Sequence, residues 1–128
     1  MKTKKVINLV MLASLFLATP YLFSGKVETP SKNFKTQISE GIVVLDFFAT
    51  WCGPCKRFAP TFAKVAAEFP DIKFIKIDVD KHSKIAEDKK YKVRGIPALY
   101  ILKDGKIIAK KSGLMSPAEF KKWIKSAI

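Results

Sequence analysis

An apolar run that leads into a cysteine pair constrains this chain more than any other feature. The run spans Ile42 to Ala49, and residues 51–55 read Trp-Cys-Gly-Pro-Cys. Apolar side chains then recur at helical spacing from Phe58 to Phe69. A run this apolar is typical of a central strand that is covered on both faces. The sequence therefore predicts a buried strand that passes into an amphipathic helix, with Cys52 at the corner between them.

The position of the two cysteines at this corner points to redox chemistry. Cys52 and Cys55 are the only cysteines in 128 residues. A helix N-terminus presents free N–H groups and the positive end of the peptide dipoles, which favour the reactive thiolate over the thiol. Cys55 lies one turn further on and can close a tight disulfide with Cys52. We therefore expect a redox-active pair in which Cys52 is the nucleophile.

Structural roles for the pair fit less well. A zinc site needs four ligands, and besides the two cysteines the chain offers only the distant His82. A structural disulfide that closes so small a loop would gain little chain entropy. Inert thiols lie in apolar surroundings, whereas Lys56 and Arg57 follow this pair directly. A C-x-x-C pair beside a βαβ pattern indicates thiol–disulfide chemistry, and we expect no metal and no cofactor.

Three segments of the chain resemble the thioredoxin family. Residues 45–56 (LDFFATWCGPCK) resemble its active-site segment, residues 95–97 (Gly-Ile-Pro) its cis-proline loop, and residues 103–106 (Lys-Asp-Gly-Lys) its closing hairpin. The resemblance runs from about residue 31 to the C-terminus. Together with the order of predicted elements, it implies an α/β thioredoxin-like fold, in which helices flank both faces of a central mixed β-sheet.

The remaining secondary structure follows from periodicity and turn signals. We expect a brief helix between Phe34 and Gly41, a strand over residues 72–79, and a charged helix from His82 to about Tyr91. Asp104-Gly105 predicts a hairpin between strands 98–102 and 106–111. Ser116-Pro117-Ala118-Glu119 predicts a capping box at the start of a last helix. Residues 26–31 are interpreted as a polar linker.

Asp46 stands in the middle of the apolar strand, six positions before Cys52. Burial disfavours a lone carboxylate, so we expect a raised pKa and partial protonation near neutrality. An acid beneath the cysteine pair is placed to exchange a proton with Cys55 through water, and the resemblance implies the same role. The alternative is an aspartate that turns to a sheet edge. The resemblance implies that Lys76 approaches Asp46, although a lysine that extends to water is an alternative.

The residues around the cysteines predict a contact surface for a protein substrate. Gly53 and Pro54 hold the turn and present few side-chain atoms, so that a bulky disulfide can approach Cys52. Trp51 is predicted to border this surface because it stands next to the turn, and the alternative is a core aromatic.

The resemblance also implies a substrate groove that includes the loop at Pro97. A cis bond before Pro97 would expose the backbone of Ile96, which could then pair with an extended substrate strand. Gly113 is expected to line the same groove. Two residues depart from the family pattern, since Phe48 replaces a tryptophan and Ser112 replaces an apolar residue before the groove glycine.

Residues 1–25 have the plan of an export signal. Lys2, Lys4 and Lys5 precede an apolar stretch over residues 6–23. The stretch is a little short of the ~20 residues that cross a bilayer comfortably. Either cleavage or retention as a membrane anchor is consistent with it. Both place the domain, residues 26–128, outside the cytoplasm: in the periplasm, in a secretory compartment or anchored at the outer face of a membrane.

The net charge of +13 constrains the partners. The three lysines of the leader account for three of these charges, so residues 26–128 carry +10. Most cations are scattered lysines that fit solvated faces, and the only arginines are Arg57 and Arg94. Nucleic-acid binding would favour an arginine-rich stripe with aromatics, so we expect none. An anionic membrane surface and acidic partners stay open, and a monomer is expected.

The direction of the reaction follows from the two residues between the cysteines. Gly-Pro resembles the reducing members of the family, which indicates a reductase of protein disulfides. An exported reductase requires an upstream electron-donating reductase, because the outside is commonly oxidising. The alternatives are a disulfide isomerase or oxidase, and a binding module in a membrane-associated assembly in which redox turnover is incidental.

Overall fold

The computed structural model describes residues 25–128. The predicted leader therefore lies outside the described residues, except for Gly25. Within residues 25–128, no helix has both the length and the apolar character needed to cross a bilayer. The elements in chain order are β1 (Val27–Glu28), α1 (Phe34–Gln37), β2 (Ile42–Phe48), α2 (Gly53–Glu68), β3 (Lys73–Asp78), α3 (Ser83–Ala86), β4 (Ala98–Lys103), β5 (Lys106–Ser112) and α4 (Pro117–Ala127).

The five strands form one mixed sheet in the order β1-β3-β2-β4-β5. The apolar strand β2 lies at the centre, parallel to β3 on one side and antiparallel to β4 on the other. β1 pairs in parallel with β3, and β5 pairs antiparallel with β4. The predicted α/β fold with a central mixed sheet is confirmed, and so is the central position of β2.

Helices cover both faces of the sheet because successive side chains of β2 point to opposite faces. Val44 belongs to a core that also contains Phe62 of α2 and Phe120 of α4. Leu45 belongs to a second core, against which Phe34 of α1 packs together with Ile85 and Ala86 of α3. The two cores hold β2 rigidly from both sides, so its carboxyl end is a firm base for the residues that follow.

The hairpin predicted at Asp104-Gly105 is confirmed. Asp104 and Gly105 have φ angles of 49° and 77°, as expected for a two-residue turn whose twist matches that of the flanking strands. The Asp104 carboxylate accepts a hydrogen bond from the Gly41 N–H at 2.8 Å. This contact joins the hairpin to the start of the central strand.

The predicted capping box of the last helix is also confirmed. The Ser116 hydroxyl accepts from the Glu119 N–H, and the Glu119 carboxylate accepts from the Ser116 N–H. These hydrogen bonds lower the pKa of Glu119 from its usual value. α4 thus begins at a defined residue, which orients its apolar side against the sheet.

Two predictions were wrong. The helix expected from His82 to about Tyr91 is the single turn α3, Ser83–Ala86. Asp88 ends it, because its side chain accepts from the Lys90 N–H and its carbonyl accepts from the Tyr91 N–H. The linker predicted over residues 26–31 contains the short strand β1. A strand of two residues is too short to show the alternation of apolar and polar side chains that predicts a strand. The conformation of β1 is set by its pairing with β3.

Candidate active site

The cysteine pair lies at the corner between β2 and α2, as the sequence predicts. Cys52 is the N-cap of α2, and the Cys55 N–H donates to the Cys52 sulfur at 3.2 Å. Gly53 and Pro54 occupy the first two helical positions, where no N–H is needed for the helix. Helix dipole and N–H donor both face the Cys52 sulfur, so this geometry stabilises negative charge there once the pair is reduced.

The two sulfurs are joined in a disulfide, and the Cα atoms of Cys52 and Cys55 are 5.3 Å apart. Both cysteines are buried, with 5% of Cys52 and 2% of Cys55 exposed. Ala49 packs with both cysteines, and Gly53 and Pro54 lie exposed between them. The exposed turn of Gly53 and Pro54 therefore lies directly at the buried disulfide.

The loop at residues 95–97 lies directly against Cys52. The Ile96–Pro97 peptide bond is cis, as the resemblance implies. The Ile96 carbonyl oxygen is 3.9 Å from the Cys52 sulfur. The Gly113 N–H donates to the Pro97 carbonyl at 3.0 Å, and Gly113 has a φ of 90° that favours glycine. The structure thus brings together Ile96, Pro97 and Gly113, the residues that the resemblance assigns to a substrate groove, and it places Ile96 against the disulfide.

Asp46 is fully buried, so the alternative of an edge position is wrong. Burial raises the pKa of Asp46 to about 7, and the positive charge of Lys76 opposes this rise. Among the described residues, neither carboxylate oxygen of Asp46 has a hydrogen-bond partner. A carboxyl group with this pKa is partly protonated at neutral pH, so it can both take up and release a proton.

Lys76 lies opposite Asp46 on the neighbouring strand β3. Its Nζ atom is 4.0 Å from the Asp46 Oδ2 atom and 4.2 Å from the centre of the Phe48 ring. The side chain of Lys76 is 20% exposed. Both sequence interpretations therefore hold in part, because the lysine approaches the acid and also reaches water.

Trp51 borders the disulfide on the surface. Its side chain is 69% exposed, so the alternative of a core aromatic is wrong. The indole N–H donates to the Asp80 carboxylate at 2.9 Å. This hydrogen bond orients a large apolar surface beside the exposed turn of Gly53 and Pro54.

Asp78 and Asp80 are site residues that the sequence analysis missed. Asp78 is buried, and its carboxylate accepts from the N–H groups of Asp80 and Lys81, which shapes the loop that holds Asp80. Their position was a usable signal. Asp78 is the last residue of β3 and Asp80 follows shortly after, and the carboxyl ends of the parallel strands β2 and β3 meet at the same edge of the sheet.

His82 lies outside this site. It is the N-cap of α3, and its side chain makes no capping hydrogen bond. Within residues 25–128, no three His, Cys, Asp or Glu side chains are grouped so that they could bind a metal ion.

A mixed sheet with a dithiol pair at a strand-to-helix corner defines a thiol–disulfide oxidoreductase. The thioredoxin family model matches residues 25–126, and the chain belongs to the thioredoxin family. The thioredoxin of Chlamydia trachomatis serovar D is 43% identical over 83 residues, which are 65% of this chain and 79% of the relative. The Bacillus subtilis thioredoxin is 42% identical over 88 residues, which are 68% of this chain and 83% of the relative.

Solved thioredoxin structures show the same fold. Malassezia sympodialis thioredoxin superposes with a TM-score of 0.70 at 33% identity, covering 80% of this chain and 91% of its own. A mutant thioredoxin from Halobacterium salinarum superposes with a TM-score of 0.72 at 29% identity, and the match covers 81% of this chain and 92% of that thioredoxin. The chain is a thioredoxin-type disulfide oxidoreductase, and protein disulfides are its general kind of partner.

Proposed function

We propose that this protein is an extracytoplasmic reductase of protein disulfides. The observation that carries the proposal is the Cys52–Cys55 pair at the N-terminus of α2, with Cys52 as the N-cap and its sulfur 3.9 Å from the carbonyl oxygen of Ile96. The Cys52 sulfur thus lies at the loop to which we assign substrate binding, and Cys55 is placed to attack the Cys52 sulfur.

The reaction begins with the reduced pair. The Cys52 thiolate attacks one sulfur of a substrate disulfide and forms a mixed disulfide, while the other substrate sulfur leaves as a thiolate. Cys55 then attacks the Cys52 sulfur, transfers its proton to Asp46, and expels the second substrate thiolate. The substrate gains two electrons and the protein is left with the Cys52–Cys55 disulfide. The raised pKa of Asp46, about 7, supports its role as the proton acceptor.

Substrate contact is assigned to the surface around the sulfurs. Trp51, Gly53 and Pro54 form the exposed side of the turn. The backbone of Ile96, held by Pro97 and backed by Gly113, pairs with an extended substrate strand. The 3.9 Å separation between the Ile96 carbonyl oxygen and the Cys52 sulfur supports this arrangement. Lys76 moderates the charge on Asp46.

The reducing direction rests on the Gly-Pro dipeptide between the cysteines. A reductant near ~−270 mV and a strong oxidant near ~−120 mV differ by about 7 kcal/mol for two electrons. Equilibration of the full chain with glutathione buffers measures the potential directly. We expect a value below about −230 mV; one above about −180 mV would assign an isomerase or oxidase instead.

Trapping experiments separate an enzyme from a binding module. Cys55→Ser should accumulate mixed disulfides with substrates, because the attack that releases them is lost, whereas Cys52→Ser should form none. Cells that carry only the double serine variant should behave like cells that lack the protein. If they behave like cells with the wild-type protein, the protein is a scaffold in which redox turnover is incidental.

The extracytoplasmic location rests on the export signal that the sequence of residues 1–25 predicts. Protease accessibility tests this location. The protease is added to intact cells and to cells whose outer membrane or wall has been permeabilised, and the full chain is compared with a variant that lacks residues 1–25. We expect the full chain to fractionate outside the cytoplasm, by cleavage or by anchoring through residues 6–23, and the shortened chain to stay inside. A full chain that fractionates with a cytosolic marker would refute the location alone. At this location the cysteine pair needs an upstream reductase that donates electrons to it. We expect the protein to be a monomer.

A further inference from the structure

A basic cavity lies beside the loop that contacts Cys52. It has a volume of about 510 Å³, and Gly95, Ala98, Tyr100 and Ser112 form its neutral walls. Its other lining residues are four cations: Lys92, Arg94, Lys110 and Lys111. A second cavity of about 470 Å³ continues along β5 and adds Lys90. No Asp or Glu of residues 25–128 lines either of them.

The charges of this cavity are only partly neutralised within the domain, because Lys111 alone of its four cations lies close enough to an acid, Glu119, to help lower the pKa of that acid. Its four cations are exposed, and the ion pairs formed by described residues are Lys76 with Asp46 and Lys121 with Glu68, both elsewhere. Like charges around one concave surface focus a positive potential there and raise the local concentration of anions. The cavity therefore differs from a face of scattered, solvated lysines.

The cavity is continuous with the proposed substrate groove. Gly95 in its wall directly precedes Ile96, and Ser112 precedes Gly113, which is hydrogen-bonded to Pro97. Arg94 and Gly95 directly precede Ile96, so a substrate strand that pairs with the Ile96 backbone lies next to residues that line the cavity. The residues that flank the substrate cysteine then lie at the entrance of the cavity.

We propose that this cavity binds an acidic segment of the substrate protein, a few residues from the cystine that reacts with Cys52. The inference rests on the proposed reductase function and adds the substrate class. The carboxylate of a single Asp or Glu side chain can enter such a cavity and form charge-assisted hydrogen bonds with lysine and arginine. A lipid surface is flat on this scale, so the concave shape and the continuity with the groove favour a polypeptide over an anionic membrane.

The test compares two disulfide peptides that differ only in three residues beside the cystine, Asp in one and Asn in the other. The reduced full chain is mixed with each peptide, and the second-order rate constant of disulfide reduction is measured. At ~20 mM salt we expect the acidic peptide to react about tenfold faster, because charge complementarity accelerates encounter. At ~500 mM salt the ratio should fall to about two, because the Debye length shrinks.

Matched variants locate the effect. Arg94→Gln with Lys110→Gln removes two charges from the cavity, and the acidic-to-neutral ratio should fall towards one. Lys122→Gln with Lys125→Gln removes two exposed charges from α4 and should keep the ratio. An equal fall in both pairs would assign the preference to net charge and overturn the inference.

The remaining outcomes separate this inference from the proposed function. Equal rates with both peptides would overturn the inference and leave the reductase function intact. Failure to reduce either peptide would overturn both. Equal rates combined with weaker binding of the Arg94→Gln, Lys110→Gln variant to phosphatidylserine vesicles would assign the cavity to the membrane and overturn the inference.

Discussion

Asp46 is the residue whose chemistry departs furthest from its ordinary state. Burial between the layers of the fold raises its pKa to about 7, and Lys76 at 4.0 Å only partly opposes this rise. The sequence predicted the burial because the residues around Asp46 in the strand are uniformly apolar. A pKa of about 7 suits the proton transfer that we propose for this carboxyl group.

Replacement of Asp46 by asparagine should stabilise the protein in a pH-dependent way. Below about pH 3 the folded and unfolded states both hold the proton. As pH rises towards 7, the unfolded state releases this proton while the folded state retains it, so wild-type stability falls. A pKa rise from 3.8 to about 7 corresponds to a loss on the order of 4 kcal/mol, complete above pH 7. Asp46→Asn should remove it.

Urea unfolding of the oxidised protein at pH 4 and pH 8 measures this effect. The stability difference between Asp46→Asn and wild type should be small at pH 4 and large at pH 8. Asp71→Asn, at an exposed position, is the control and should change stability little at either pH. A difference that is the same at both pH values would contradict the raised pKa of Asp46.

The elements that position the site begin and end at local signals. α2 begins at the cysteine motif, with Cys52 as its N-cap, and α4 begins at the Ser116 capping box. The β4–β5 hairpin turns at Asp104 and Gly105, both of which have a positive φ. Each signal acts within a few residues, through hydrogen bonds or backbone sterics, so the sequence alone predicted where these elements start or turn.

Replacement of Ser116 by alanine should lower stability by about 1 kcal/mol, because the first turn of α4 loses a capping hydrogen bond. The reduction potential should not change, since Ser116 does not contact the cysteines. Urea unfolding and glutathione equilibration measure the two quantities. Ser126→Ala in the same helix is the matched control. Its effect should be near zero, because the exposed Ser126 hydroxyl donates to the Trp123 carbonyl of its own turn and caps no helix end. Equal losses in both variants would argue against the capping box.

The aromatic core connects elements that are distant in the sequence. Phe120 of α4 has its ring centre 5.2 Å from that of Phe58 and 5.8 Å from that of Phe62, both on α2. It also contacts Phe74 of β3 at 6.4 Å. One side chain thus joins both long helices to the sheet, while the cysteines belong to a separate small cluster.

Replacement of Phe120 by alanine should therefore lower the free energy of unfolding by about 4 kcal/mol, because it leaves a cavity where three elements meet. Thermal and urea unfolding measure this loss. Ile128→Ala removes apolar atoms from an exposed terminal position and should cost less than about 0.5 kcal/mol. A Phe120→Ala variant as stable as the Ile128→Ala variant would contradict the central place of this ring in the core.

The amino-acid sequence by itself determined the corner at Cys52, the buried acid, the hairpin and the capping box. Each of these depends on residues within about one turn or one strand, where sterics, hydrogen bonding and hydrophobic patterning act locally. The family resemblance added the cis bond before Pro97, for which local physics offers no reason.

Only the tertiary structure decided the contacts between distant segments. Trp51 meets Asp80, Ile96 meets Cys52, and Val27 pairs with Phe74 across long stretches of chain. The same holds for the basic cavity, which draws its cations from the loop before Pro97 and from β5. No local pattern encodes such contacts, because they arise when packing of the apolar faces brings the carboxyl ends of parallel strands and the surrounding loops to one edge of the sheet.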